Sequence, residues 1–208
     1  VDVGVEVDSP EELREGSHRF LLMRRSSASL DLQDSSVDFV VTDPPYFDSV
    51  QYSDLASFFH VWLRQLLPVD IDWQYDRSQS AVNPQDSESG QYFRVLSEIF
   101  KECNRVLDKK HGRLVFTFHH WNPTAWFALM SALRAASFVL VNRYIVHSEN
   151  PISVHISNLN ALKHDAVLVL APRGTEGGRG WRLPGQIDMD SSEGFCRDCA
   201  TALGSMLN

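Results

Sequence analysis

The residues best equipped for chemistry are Asp43-Pro44-Pro45-Tyr46. They close the apolar run Val37, Phe39, Val40, Val41, which reads as a buried strand stopped by two prolines. Each proline lacks an N–H and fixes φ, and the residue before it is pushed to an extended conformation. The product is a stiff loop at a strand's C-terminal end, displaying a carboxylate, a freed carbonyl and an aromatic ring. That set suits the exocyclic amine of a nucleobase, whose lone pair is delocalised into the ring. The Asp43 carboxylate and the Pro44 carbonyl would hold the two amine hydrogens and draw the nitrogen towards a tetrahedral shape. The lone pair would then point at an electrophilic methyl group. Tyr46 would offer the face on which the base stacks once it has left a duplex. Such catalysis is positioning plus preorganised electrostatics, with no covalent enzyme intermediate.

The elements that must hold this loop follow an α/β alternation. Leu55, Phe58, Phe59, Trp62, Leu63 and Leu66 recur at helical spacing, which predicts an amphipathic core helix over residues 53–67 that Pro68 ends. The stripe Phe93, Leu96, Ile99, Phe100, Cys103, Val106 and Leu107 predicts a helix over residues 91–107, stopped at His111-Gly112. Arg113 to Phe118 reads as a buried strand that ends in His119-His120-Trp121. Asn122-Pro123-Thr124 starts a helix through Ala136, and strands follow over residues 138–146 and 165–170. The last two strands are joined by a loop alone and could pair as an antiparallel hairpin. Strand, helix, strand, helix, strand is the grammar of a largely parallel sheet. It sets the Asp43 loop and His119-His120-Trp121 at one sheet edge, where ligands bind in open α/β folds.

Upstream, alternation over Val1 to Val7 predicts a half-buried strand. Ser9-Pro10-Glu11-Glu12 predicts a short helix that Gly16 interrupts, and Phe20 to Met23 a second short strand. Residues 69–90 show no sustained period, yet hold Trp73, Tyr75 and Arg77, which suit base stacking and phosphate contact. From Arg173 onward, glycine clusters and polar residues predict a linker and a poorly ordered tail.

Composition leaves the partner open. The chain has 208 residues and a net charge of −8, which argues against nucleic-acid binding through overall charge but not through a local basic groove. Its basic residues are mostly arginine, the better partner for phosphates and base edges. No apolar run has the length of a membrane span, and residues 1–10 lack signal-peptide grammar, so a cytoplasmic protein is expected. Cys196 and Cys199 have C-x-x-C spacing, but no second ligand pair follows, so no metal site is expected.

Thr42-Asp43-Pro44-Pro45-Tyr46, with the longer string around it and Phe58-Phe59-His60-Val61-Trp62-Leu63-Arg64, resembles a family of adenine-specific DNA methylases. The resemblance runs from about Arg25 to Pro172. It implies a Rossmann-like class I methyltransferase sheet, mostly parallel with an antiparallel C-terminal strand. It further implies S-adenosylmethionine as methyl donor, DNA as partner, a restriction or phage-defence setting, and transfer to adenine N6. Cytosine N4, an RNA base, or a nucleic-acid-binding domain that has lost methyl transfer are the alternatives. By this resemblance residues 1–172 form the catalytic domain, and residues 173–208 the linker and tail. Asp43, Pro44, Pro45 and Tyr46 are then the catalytic loop, Phe47 a flanking stacking residue, and Trp73 and Arg77 further substrate contacts. Asp43 would also approach the cofactor's methionine end, and Ser26 and Ser27 its adenine. Asp48, Tyr52 and His120 are lesser candidates. Relatives grip the cofactor with a glycine-rich loop after their first strand, and no such loop precedes Asp43 here. The expectation is a C-terminal portion, with that loop supplied by an upstream segment or another chain.

Overall fold

Strict alternation along R-L-V-F-T-F makes β4 (Arg113–Phe118) the pivot of the fold. Its Leu114, Phe116 and Phe118 are buried on one face, while Arg113, Val115 and Thr117 are half-buried on the other. The computed structural model describes residues 4–47, 52–68, 80–82, 89–148, 162–175 and 180–208. Asp48, Trp73, Tyr75 and Arg77, with most of the predicted DNA-contacting loop, lie outside the described residues, as does the Tyr52 side chain.

The main sheet has the order β3 (Phe39–Thr42), β4, β6 (His164–Pro172), β5 (Phe138–His147). β3 and β4 pair in parallel, and β6 lies between β4 and β5, antiparallel to both. Three strands therefore run one way and the last runs against them. The last two strands do form the antiparallel hairpin left open by the sequence. By its ladders the sheet is mixed, with one parallel and two antiparallel pairings, within an α/β fold.

Three helices cover the face that carries Phe116 and Phe118. Phe100 of α2 (Ser89–Val106) stacks on Phe116 at 5.7 Å between centroids, and Trp126 of α3 (Pro123–Ala135) meets Phe118 edge-on at 4.9 Å. Each such burial is worth about 1.5–3 kcal/mol relative to exposure. Asn122 caps α3 by accepting from the Thr124 N–H, and Pro123 takes the first-turn position that needs no donor.

The third helix corrects the reading of residues after Arg173 as linker and tail. Ser192–Leu207 forms α4, capped by Ser191, and buries Phe195, Cys196, Cys199, Ala200, Leu203 and Leu207. Gly204 lets it close on the sheet: a Cβ there would stand 2.6 Å from Leu140 Cδ2. Burial pushes the Cys196 and Cys199 thiols up to about 12, and both cysteines are free.

Two further expectations are corrected. β3 was expected to be buried, yet Phe39 and Val41 are 64% and 76% exposed, because the ladder sets them beside Arg113 and Val115, on the face turned away from the three helices. The helix α1 (Tyr52–Leu63) forms where predicted, but its Leu55, Phe58, Phe59, Trp62 and Leu63 are exposed, as is Leu66 beyond it. No other described element packs broadly on it. Near the N-terminus, β1 (Val5–Glu6) and β2 (Arg19–Phe20) make a separate two-stranded parallel sheet, and Glu12–Arg14 is a single 3-10 turn.

Candidate active site

The parallel register Phe39↔Arg113 to Thr42↔Phe116, carried one residue further, sets Asp43 beside Thr117. Alternation turns Thr117 away from the core, to the side where Asp43 is exposed. The Thr117 hydroxyl donates to Asp43 Oδ1 over 2.6 Å. The Tyr46 phenol oxygen lies 2.9 Å from the same Oδ1 and 2.7 Å from Thr117 Oγ1, so its proton serves either acceptor. One carboxylate oxygen thus accepts from the Thr117 hydroxyl and has the Tyr46 phenol within hydrogen-bond distance as a second donor. Among the described residues nothing donates to Asp43 Oδ2 or to the Pro44 carbonyl.

The rest of the loop is fastened from below. Pro44 is buried, and the Pro45 carbonyl accepts from the Tyr92 phenol at 2.9 Å and from the Phe47 N–H at 3.1 Å. Phe47 has φ of +50°, a left-handed conformation that costs a bulky residue about 1–2 kcal/mol. Its ring recovers contact edge-on with Tyr92 at 5.1 Å and with His120 at 5.7 Å. His120 is itself fixed, its Nδ1 accepting from the Asn122 N–H and its carbonyl from Trp126 Nε1.

Tyr46 is held at its ring as well as its hydroxyl. Phe118 and His119 meet it edge-on at 5.4 and 4.8 Å. The antiparallel register Phe118↔Ala166, extended by one, brings His119 opposite Asp165, and His119 Nδ1 pairs with Asp165 Oδ1. Burial first, and then the Asp43 and Asp165 carboxylates, hold the Tyr46 phenol protonated well above the ordinary phenol range; the Thr117 bond acts the other way.

The fold therefore gathers Asp43, Pro44, Pro45, Tyr46, Phe47 and His120 at one sheet edge. Ser26 and Ser27 are exposed, and the Ser26 hydroxyl accepts from the Ala28 N–H. The segment after them is anchored by Arg105, which donates to the Leu30 and Leu32 carbonyls and pairs with Asp34 and Glu102. Thr117, Tyr92 and Asp165 belong to the site and were missed in the sequence. A hydroxyl between Phe116 and Phe118 was the available signal for Thr117. Among the described residues no group of His, Cys, Asp or Glu is arranged to hold a metal ion. No described helix is long and apolar enough to cross a membrane.

Chemically, the edge presents a carboxylate oxygen and a carbonyl with open acceptor capacity beside a tethered aromatic ring. A family model described as DNA methylase, covering N6 and N4 amino-methyltransferases, matches residues 37–180. The chain belongs to the N6/N4 DNA methylase family. Members of this family take their methyl group from S-adenosylmethionine. Among solved structures, TTHA0409 of Thermus thermophilus, assigned as a DNA modification methylase, is similar in its complex with S-adenosyl-L-methionine. The identity is 19% and the TM-score 0.37, over 75% of this chain and 51% of that one. A second structure of TTHA0409 gives 20% identity and a TM-score of 0.35, over 75% and 52%. Its selenomethionine derivative gives 21% and 0.34, over 75% and 51%. The chain spans about half the length of these relatives. No curated protein matches it.

Proposed function

We propose that this methylase chain carries the base-gripping part of a DNA methyltransferase that modifies the N6 amine of adenine. The observation that carries the reading is the Asp43 loop. Its exposed carboxylate has one oxygen engaged and no described donor on the other, and the neighbouring Pro44 carbonyl accepts from no described group. Those two acceptors hold the amine hydrogens and localise the nitrogen lone pair, while Tyr46 and Phe47 frame the extruded base. When bound, S-adenosylmethionine supplies an electrophilic methyl group: the N–C bond forms as the C–S bond breaks, the electron pair stays on sulfur, and one amine proton passes to solvent. Trp73 and Arg77 are proposed to stack on and contact the DNA.

The residues present fit only part of the cofactor. Asp43 can face its methionine end, but Ser26 and Ser27 are turned to solvent and no glycine-rich loop follows β3 or β4. We therefore assign the remaining grip to a further α/β segment, upstream in the same polypeptide or on another chain. It would add to the outer edge of β3, which is unpaired among the described residues and whose own Phe39 and Val41 are exposed.

The test uses the full natural gene product with labelled S-adenosylmethionine and duplexes containing or lacking adenine. Label on adenine N6, lost in Asp43→Ala, is expected. Label confined to cytosine would move the reading to N4, and absence of cofactor binding by calorimetry would sink it as an enzyme.

A further inference from the structure

Resting on that reading, we infer that Thr117 is a positioning residue for the transfer: it locks Asp43 Oδ1, which makes Oδ2 the atom that takes the amine hydrogen. An exposed aspartate on a strand end would ordinarily turn about its terminal torsion and present either oxygen. Here the Thr117 hydroxyl at 2.6 Å and the Tyr46 phenol at 2.9 Å converge on Oδ1, which removes that freedom. Oδ2 is left with no donor among the described residues.

The placement owes nothing to the strand's own needs. Thr117 sits in the parallel ladder beside Asp43 and in the antiparallel ladder opposite Val167, and its backbone serves both. A valine there would have the same shape and the same β-preference. The core is served by the neighbours Phe116 and Phe118, which point the other way. What threonine adds is the hydroxyl, and the hydroxyl is spent on Asp43. The same oxygen lies 2.7 Å from the Tyr46 phenol, so the lock also ties the carboxylate to the ring that frames the base. Base plane and acceptor are thereby set by one three-way contact that spans two strands and a loop.

A loop staple without a part in transfer would predict lost stability and nothing more. Thr117→Val and Thr117→Ser in the full natural gene product separate the two. Single-turnover methyl transfer is measured beside DNA and S-adenosylmethionine affinities and thermal melting. Thr117→Val is expected to slow transfer about 10- to 100-fold, the scale of a misplaced reacting group, with both affinities unchanged. Thr117→Ser restores the rate to within about threefold. Tyr46→Phe, which removes the second donor and keeps the ring, gives an intermediate loss and serves as the second variant should Thr117→Val fold poorly. Transfer by folded Thr117→Val at the wild-type rate, or a loss that Thr117→Ser leaves unrepaired, would overturn the inference while the methylase reading stands. A wild-type protein that transfers no methyl group would overturn both.

Discussion

Asp43 and Thr117 stand side by side at the ends of two parallel strands, joined by a 2.6 Å hydrogen bond from hydroxyl to carboxylate. The bond crosses 74 positions of sequence, so it exists only when the ladder between β3 and β4 has the right register. A slip of one residue would turn Thr117 into the core and leave Asp43 without its donor. Folding of the sheet edge and assembly of the site are the same event.

Asp43→Asn follows from that geometry. The asparagine oxygen still accepts from Thr117 and Tyr46, so its amide NH2 takes the place of Oδ2. A donor then faces the amine hydrogens in place of an acceptor. We expect single-turnover methyl transfer to fall about 10- to 100-fold with DNA affinity retained. A variant as fast as wild type would show that Oδ2 is not the contact atom.

Tyr92→Phe tests the fastening beneath the loop. It removes one of the two donors to the Pro45 carbonyl and leaves the Phe47 N–H in place. The expected loss is about 1 kcal/mol, or about 2–4 °C in melting temperature for a chain of this size. A melt unchanged within error would mean that the phenol bonds water instead.

Tyr46 gives a dependence on alkaline pH. Its phenol is held above the ordinary range by burial and nearby carboxylates. The unfolded chain therefore releases this proton first as pH rises through about 10. Stability from this group is fully present below that pH and is lost as pH climbs above it. Urea midpoints measured between pH 8 and 11 should fall more steeply in the wild type than in Tyr46→Phe. Parallel curves would show that the phenol is solvated.

The strands and the inner helices were legible because their signals are local. Alternation in R-L-V-F-T-F gives β4 its bounds, and Asn122-Pro123 marks the start of α3. The Asp43 loop was legible for the same reason, since two prolines at a strand end leave the chain few choices. Thr117 and Asp165 were not, because their meaning comes from register between strands. Helix α4 was hidden differently. Its stripe of Phe195, Cys196, Cys199, Ala200, Leu203 and Leu207 is helical, but the glycine clusters and polar residues after Arg173 made the whole segment read as linker and tail, and two glycines, Gly194 and Gly204, lie within the helix. Both glycines are there for close approach: a Cβ on Gly194 would fall 1.8 Å from Asp188 Oδ2, and one on Gly204 against Leu140. The apolar residues of β3 and α1 misled in the opposite sense, since periodicity reports that a surface wants cover without saying which segment covers it.

α1 and α4 therefore exchange roles that residue pattern alone could not separate, and stability can tell them apart. Phe195 is fully buried against the sheet layer, so Phe195→Ala should cost about 3–5 kcal/mol in urea unfolding of this chain. Trp62 and Phe58 are 60% and 59% exposed, so Trp62→Ser and Phe58→Ser should each shift the same chain by less than about 0.5 kcal/mol. A helix with one exposed face of Leu55, Phe58, Phe59, Trp62 and Leu63 is built to be covered on that face. In the full gene product, with the proposed segment added to β3, the same serine substitutions should cost about 2 kcal/mol or more. Equal, small effects in both contexts would leave α1 exposed in the whole protein and remove the support for a covering segment. A large effect in the short chain alone would show instead that α1 is packed on the body in solution.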